Sequence, residues 1–181
     1  MEIITTRIPE VIILKPKVFE DDRGFFMEVW NSTRFREAGI DVEFVQDNHS
    51  KSKQGTLRGL HYQIQKPQGK LMKVISGRVY DVVVDMRKNS PTFGQWVGEF
   101  LSASNKKMLW VPPGFAHGFY VTSKYAEIYY KCTDIYAAEY ERSLLWNDKD
   151  LAIIWPLVKD MEISISQKDT KGKTFAEADY Y

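Results

Sequence analysis

The chain has 181 residues, 25 Lys+Arg against 24 Asp+Glu for a formal net charge of +1, one cysteine, and 10 Tyr, 10 Phe and 5 Trp. A near-neutral balance argues against a dedicated nucleic-acid binder, which needs a clustered basic surface; no apolar run approaches the ~20 residues of a membrane helix, and Met1–Arg7 lacks the basic-then-apolar layout of a secretion signal. The lone Cys132 excludes an intramolecular disulfide and suits a reducing compartment, so the expectation is a cytoplasmic protein with a single domain over 1–181.

In chain order, strands are predicted over Val11–Phe19, Gly24–Trp30, Phe44–Ser50, Thr56–Gln63, Lys70–Ile75, Arg78–Met86, Gly94–Leu101, Met108–Val111, Phe115–Val121 and Tyr125–Ile135. These segments are rich in Val, Ile and aromatic residues, and Gly and Pro punctuate the chain between them, the pattern of an all-β sandwich or barrel. A short helix is predicted after Trp30, capped by Asn31 or Ser32 and ended by Gly39. Ser76–Gly77 reads as a hairpin turn. The stretch Asp148–Asp169, broken at Trp155–Pro156, reads as loop or short helix, and the polar tail from Thr170 is expected to wrap loosely.

Alternation sorts the polar side chains of these strands between two faces. In Tyr125–Ile135, Tyr130 shares a face with Ala126, Ile128 and Cys132, so it points inward, and Tyr129 points outward. In Phe115–Val121, His117 lies with Phe115, Phe119 and Val121. In Lys70–Ile75, Lys70 lies with Met72 and Val74. A tyrosine or histidine of this kind, taken alone, is an ordinary core residue; an inward lysine is rarer, because an ammonium is costly to bury. In Thr56–Gln63, strict alternation separates Arg58 from His61, unless Gly59 hosts a bulge that re-aims Arg58. Histidine, tyrosine and lysine together suit proton abstraction beside a carbonyl, with a base, an acid and a cation for the developing oxyanion.

Other chemistries find less support. The three histidines, His49, His61 and His117, form no H-x-H pair. Pro112–His117 matches the P-x-G-x-x-H element of cupin barrels, where the histidine is often a metal ligand, but the partner element is missing, so no metal is expected. Cys132 reads as a small hydrophobe, and the chain has neither a serine nucleophile elbow nor a Gly-rich phosphate loop.

Several runs in order resemble the dTDP-4-dehydrorhamnose 3,5-epimerases. They are Val45-Gln46-Asp47-Asn48-His49-Ser50, Leu57-Arg58-Gly59-Leu60-His61, Gln68-Gly69-Lys70, Asp81-Val82-Val83-Val84-Asp85, Asn89-Ser90-Pro91-Thr92-Phe93-Gly94 and Pro113-Gly114-Phe115-Ala116-His117-Gly118-Phe119. Tyr130-Lys131, Trp146-Asn147-Asp148 and Lys168-Asp169 follow, so the match runs from about Val11 to Asp169. The resemblance implies an all-β, cupin-type jelly roll with a few short peripheral helices, acting on a dTDP-sugar without cofactor or metal. By motif, His61 resembles the general base, Asp169 the carboxylate that orients it, Tyr130 the acid on the opposite face, and Lys70 the group that holds the C4 oxygen. Arg23, Phe26, Glu28, Gln46, Asn48, Arg58 and His117 match substrate-binding positions. The family's aromatic pair after Tyr-Lys reads Ile135-Tyr136 here, which leaves Tyr136 as the one ring. The resemblance also implies a homodimer in which the Arg23–Glu28 strand enters the neighbour's site, and neither nucleic acid nor membrane as partner. Rival readings are a single-site epimerase or 3,4-ketoisomerase, a metal-dependent cupin, and a non-catalytic sugar or nucleotide binder.

Overall fold

The computed structural model describes residues 1–181. The first strands are β1 (Glu2–Thr5), β2 (Ile12–Lys15), β3 (Val18–Asp21), β4 (Gly24–Met27), β5 (Gln46–Lys53), β6 (Thr56–Gln63) and β7 (Lys70–Ser76). They are followed by β8 (Arg78–Asp85), β9 (Trp96–Ser102), β10 (Met108–Val111), β11 (Phe115–Val121), β12 (Tyr125–Cys132), β13 (Glu141–Ser143) and β14 (Ser164–Ile165). One sheet runs β1-β2-β10-β7-β12-β5 and the other β13-β6-β11-β8-β9, with β14 parallel to β6. All other pairings between these strands are antiparallel, as in a jelly roll. β3 and β4 form a separate hairpin. No helix is long and apolar enough to cross a membrane.

Three apolar clusters hold these layers. Between the sheets, Ile13, Met72, Val74 and Ile128 from the first meet Val79, Val83, Phe115 and Phe119 from the second. Behind the second sheet, Leu57, Leu60, Tyr62, Val82, Val84 and Tyr120 pack against Leu144, Leu151, Trp155 and Ala178 of the C-terminal region. Both faces of that sheet are therefore covered, and every residue of β11 is buried. The third cluster lies outside the first sheet, where Phe35 of helix α1 (Ser32–Glu37) meets Leu14, Leu71 and Trp110. Asn31 caps α1 by accepting from Arg34 N at 3.2 Å, and Gly39 leaves it at φ +84, as expected.

Four expectations are corrected. The run Val11–Phe19 is two strands, because Pro16 between them has no N–H for a ladder bond. Ser76–Gly77 is not a hairpin: β7 already lies between β10 and β12, and β8 between β11 and β9, so the turn carries the chain from one sheet to the other. Three short strands, β1, β13 and β14, went unforeseen, each with too few residues to show alternation. The tail from Thr170 is packed rather than loose. Tyr180 sits 4.9 Å from the Phe93 ring and 5.4 Å from Phe175, and Tyr181 exchanges backbone bonds with Met86 and Lys88 at 3.1 and 3.0 Å.

Asp85, at the end of β8, anchors the turn that follows. It accepts from Arg87 Nε at 2.9 Å, Arg87 Nη2 at 2.7 Å, Ser90 Oγ at 2.6 Å and Thr92 Oγ1 at 2.7 Å. Burial alone would raise its pKa; these donors outweigh burial and bring it from 3.8 down to about 2. A lowered carboxylate pKa stabilises the fold above the unfolded value, and that contribution is lost as pH falls through the folded one. The stability difference between the wild type and Asp85→Asn should therefore shrink by roughly 2 kcal/mol between pH 5 and pH 2. Urea unfolding of both proteins across that range measures it, and a difference independent of pH contradicts it.

Candidate active site

A cavity of about 150 Å³ opens between the sheets, lined by Ser50, Arg58, His61, Lys70, Met72, His117, Phe119 and Tyr130. A second compartment of about 100 Å³ shares His61, Lys70 and Tyr130 with it and adds Gln63, Gln68, Tyr136 and Glu141. His61 and His117 come from neighbouring strands β6 and β11 of one sheet; Lys70 and Tyr130 come from β7 and β12 of the other. Base and acid candidates thus face each other across a gap.

Gly59 makes this arrangement possible. On β11, His117 pairs with His61 and Phe119 with Arg58, so two steps along β11 span three along β6. The extra residue resets the alternation, which turns Arg58 and His61 into the cavity and leaves Leu57 and Leu60 in the cluster behind the sheet. Gly59 has φ +109, and a Cβ there would lie 2.6 Å from both His117 O and Gly118 Cα. Backbone atoms cannot yield as a flexible side chain does. Gly59→Ala is expected to lose about 2–4 kcal/mol of stability, with any activity of this cavity falling further than the folded fraction. Denaturant unfolding alongside a rate measurement tests both parts.

His61 Nε2 donates to Asp169 Oδ1 at 2.6 Å. Asp169, 3% exposed at the start of a 3₁₀ turn over Asp169–Lys171, also accepts from Gly59 N at 3.4 Å. Burial would raise the Asp169 pKa, but its bond to His61 and the charge there prevail and lower it. With Nε2–H donated to an ionised Asp169, the neutral form of His61 carries its lone pair on Nδ1.

Burial pushes the Tyr130 phenol up, with the nearby Cys132 and Glu141 adding to the effect and Arg58 opposing it. The phenol stays protonated and can give a proton. Burial likewise lowers the Lys70 ammonium, while Cys132, Asp81 and Glu141 act to keep it charged. Arg58 is steadied by Ser52, whose Oγ accepts from Nε at 3.1 Å.

The remaining expected binding residues fall into two groups. Gln46, Asn48 and Tyr136 sit together: Tyr136 N donates to Gln46 Oε1 at 2.8 Å, and Gln46 Nε2 donates to Asn48 Oδ1 at 3.1 Å. Arg23, Phe26 and Glu28 do not line the cavity. Arg23 pairs with Asp21 at 2.6 Å and Glu28 with Arg34 at 3.0 Å, and Phe26 is 70% exposed on the β3–β4 hairpin. A larger, shallow depression of about 410 Å³ on that hairpin shares no residue with the cavity. His49 lies apart, 3.4 Å from Glu127.

Three residues here were given no site role in the sequence, although Asp81 and Lys168 stand in the matching motifs. Asp81, fully buried, accepts from His117 Nε2 at 2.8 Å, and its other oxygen has no partner. Alternation could have found it, since Asp81 shares a face with the core residues Val79 and Val83. Glu141 accepts from the Tyr136 phenol at 2.7 Å and pairs with Lys168. Neither of these two belongs to a stretch long enough to carry a pattern. Each cavity histidine has its own carboxylate, and nowhere do three His, Cys, Asp or Glu side chains gather as a metal would require.

The family profile described as dTDP-4-dehydrorhamnose 3,5-epimerase matches residues 5–177. A Pseudomonas aeruginosa protein named dTDP-4-dehydrorhamnose 3,5-epimerase is 58% identical over 96% of this chain and 96% of its own. The crystal structure of dTDP-6-deoxy-D-glucose-3,5-epimerase from Legionella pneumophila, in complex with dTDP-4-keto-L-rhamnose, superposes with a TM-score of 0.95 at 51% identity, covering 98% of this chain and 94% of that one. A 3′-monoepimerase from Streptomyces bikiniensis, in complex with dTDP-quinovose, superposes with a TM-score of 0.88 at 33% identity, covering 95% and 87%.

Proposed function

The chain belongs to the dTDP-4-dehydrorhamnose 3,5-epimerase family, and from that premise we propose how its own side chains carry the reaction. It is an isomerase that converts dTDP-4-dehydro-6-deoxy-glucose to dTDP-4-dehydro-L-rhamnose by inverting C3 and C5. Both carbons are alpha to the C4 carbonyl. Nδ1 of His61 takes the proton as the C–H bond breaks, and the electron pair moves onto the C4 oxygen to give an enolate. Asp169 stabilises the imidazolium formed. Lys70 stabilises the oxyanion, and His117 lines the cavity beside it. Tyr130 then gives a proton to the opposite face of the same carbon, which completes one inversion; His61 loses its proton to solvent and Tyr130 regains one from it, and the second carbon then follows by the same steps. The observation that supports this reading is His61, paired with Asp169, on one sheet facing Tyr130 on the other, with Lys70 on the strand beside Tyr130.

Arg58, Gln46, Asn48 and Tyr136 would hold the nucleotide and sugar on this chain. Arg23, Phe26 and Glu28 would serve the partner's site in a homodimer. Exposed Phe19, Phe25 and Phe26, at 53, 55 and 70%, sit on a hairpin that pairs with no other strand of its own chain, as an exchanged arm would. Sedimentation should find a dimer, and a monomer with full activity sinks the exchanged arm. A cytoplasmic setting follows the same reading, with Cys132 kept reduced.

The activity is tested by product analysis. The dTDP-4-dehydro-6-deoxy-glucose substrate, incubated with the protein and examined by NMR, should give coupling constants for inversion at both carbons. Inversion at one carbon would make it a single-site epimerase; an unchanged substrate overturns the assignment.

A further inference from the structure

Gln63 has no part in the proton transfers, yet it is buried at 4% exposure and its carboxamide is bonded at both ends. Nε2 donates to Lys66 O at 2.7 Å and to Ile135 O at 3.3 Å, and Oε1 accepts from Ala137 N at 2.8 Å. Two of these groups flank Tyr136, whose own N–H donates to Gln46 Oε1 at 2.8 Å. The Tyr136 residue is 49% exposed, but its backbone is gripped at three consecutive positions by two side chains. Loop backbone at a surface is ordinarily satisfied by water. A buried carboxamide costs free energy unless its bonds are met, and here they are met by the loop that carries one aromatic ring.

Gln63 also lies two residues beyond His61 on β6 and lines the same compartment as His61, Lys70, Tyr130 and Tyr136. Two residues of strand cover roughly 6.6 Å, a spacing fixed by the backbone. Around this point the walls are stitched together. Thr133 and Gly69 exchange bonds at 3.0 and 2.8 Å, and Gln68 Nε2 donates to Asp134 O at 2.8 Å. Tyr181 donates its phenol to Gln63 O from behind.

We propose that Gln63 is a positioning residue that sets the distance between the base His61 and the ring of Tyr136, and so sets the ligand that the cavity accepts. The proposal rests on the epimerase reading, in which Tyr136 touches the substrate. The phenol is fixed separately, by donation to Glu141 at 2.7 Å, so the ring is set from both ends. Loss of the Gln63 grip releases the backbone on either side of Tyr136 and shifts the ring, with the Gln46 and Glu141 contacts left to hold it and with His61, Lys70 and Tyr130 in place.

The test is a double-mutant cycle read as a KM-against-kcat split. Gln63→Met keeps the length of the side chain and removes its bonds. It should raise KM for the dTDP-4-keto sugar about tenfold and leave kcat within about twofold. With Tyr136→Ala in place, the same change should add less than about twofold to KM, because there is no ring left to position. An unchanged KM overturns the proposal, and so does an equal rise with and without the Tyr136 ring. A parallel loss of kcat and stability in both backgrounds makes Gln63 structural only. Gln63→Glu, which keeps the acceptor for Ala137 and loses both donors, gives a second cycle if the methionine variant does not fold. A wild type that turns over while the cycle shows no coupling defeats this proposal alone; a wild type without turnover defeats the epimerase reading.

Discussion

Replacing His61 with alanine is expected to lower turnover by about 10³–10⁴-fold and to stop exchange of the C3 and C5 protons with solvent. The reason lies in the geometry. His61 is the cavity's one imidazole oriented by Asp169, at 2.6 Å, with Nδ1 left free. His117 has the same kind of carboxylate partner, Asp81 at 2.8 Å, but is the less accessible imidazole: its side chain is 8% exposed, against 30% for that of His61. Carbon acids beside a ketone lose protons slowly without a positioned base, so the loss should fall on kcat and kcat/KM together. Asp169→Asn should follow in the same direction, since an amide can donate to Nε2 and so favours the tautomer with its proton on Nδ1. Proton NMR of the sugar in deuterated buffer measures exchange, and far-UV circular dichroism checks that the variant is folded. Undiminished exchange in folded His61→Ala would move the base elsewhere.

Tyr130→Phe should separate two events that the wild type couples. Net inversion is expected to fall by about 10²–10³-fold, and exchange into the recovered substrate should fall much less. His61 can still remove the proton, and it can still return solvent deuterium to the face from which the proton came. Only delivery from the opposite face is lost, because Tyr130 reaches the cavity from β12 whereas His61 reaches it from β6 of the facing sheet. Burial holds the phenol in its protonated form, which is what a donor needs. Equal loss of exchange and inversion would remove Tyr130 from the acid role.

Much of the site could be read from strand periodicity. Inward placement of Tyr130, His117 and Lys70 follows from alternation, because β12, β11 and β7 each carry long apolar runs on one face. Where alternation was broken by one residue, at Gly59, the sequence showed only that a bend was possible; the pairing of His117 with His61 and Phe119 with Arg58 is a long-range property. Asp169 lies in a turn with no period, and motif resemblance, not patterning, pointed to it. Glu141 and Lys168 were missed because a three-residue strand and a loop carry no facing signal. The tail was misjudged for a related reason. Its polar composition suggested solvent, but Ala178 and the rings of Phe175, Tyr180 and Tyr181 cover the outer face of the second sheet, which the sequence had no means of showing as exposed.

The aromatic excess is explained in part by these layers. Trp30, Phe35 and Phe44 pack together at 4.4 and 4.6 Å outside the first sheet, and Phe93, Phe175 and Tyr180 do so at the C-terminal end. Tyr130 and Tyr136 stand apart from these ring clusters, in a compartment they share with Lys70, His61 and Glu141.

The central claim is that one base and one acid on facing sheets invert two carbons through enolates of the same ketone. Turnover of dTDP-4-dehydro-6-deoxy-glucose in deuterated water, with the product read by NMR, tests it most directly. The account predicts a product carrying deuterium at both C3 and C5. Inverted product with protium retained at both carbons would contradict it.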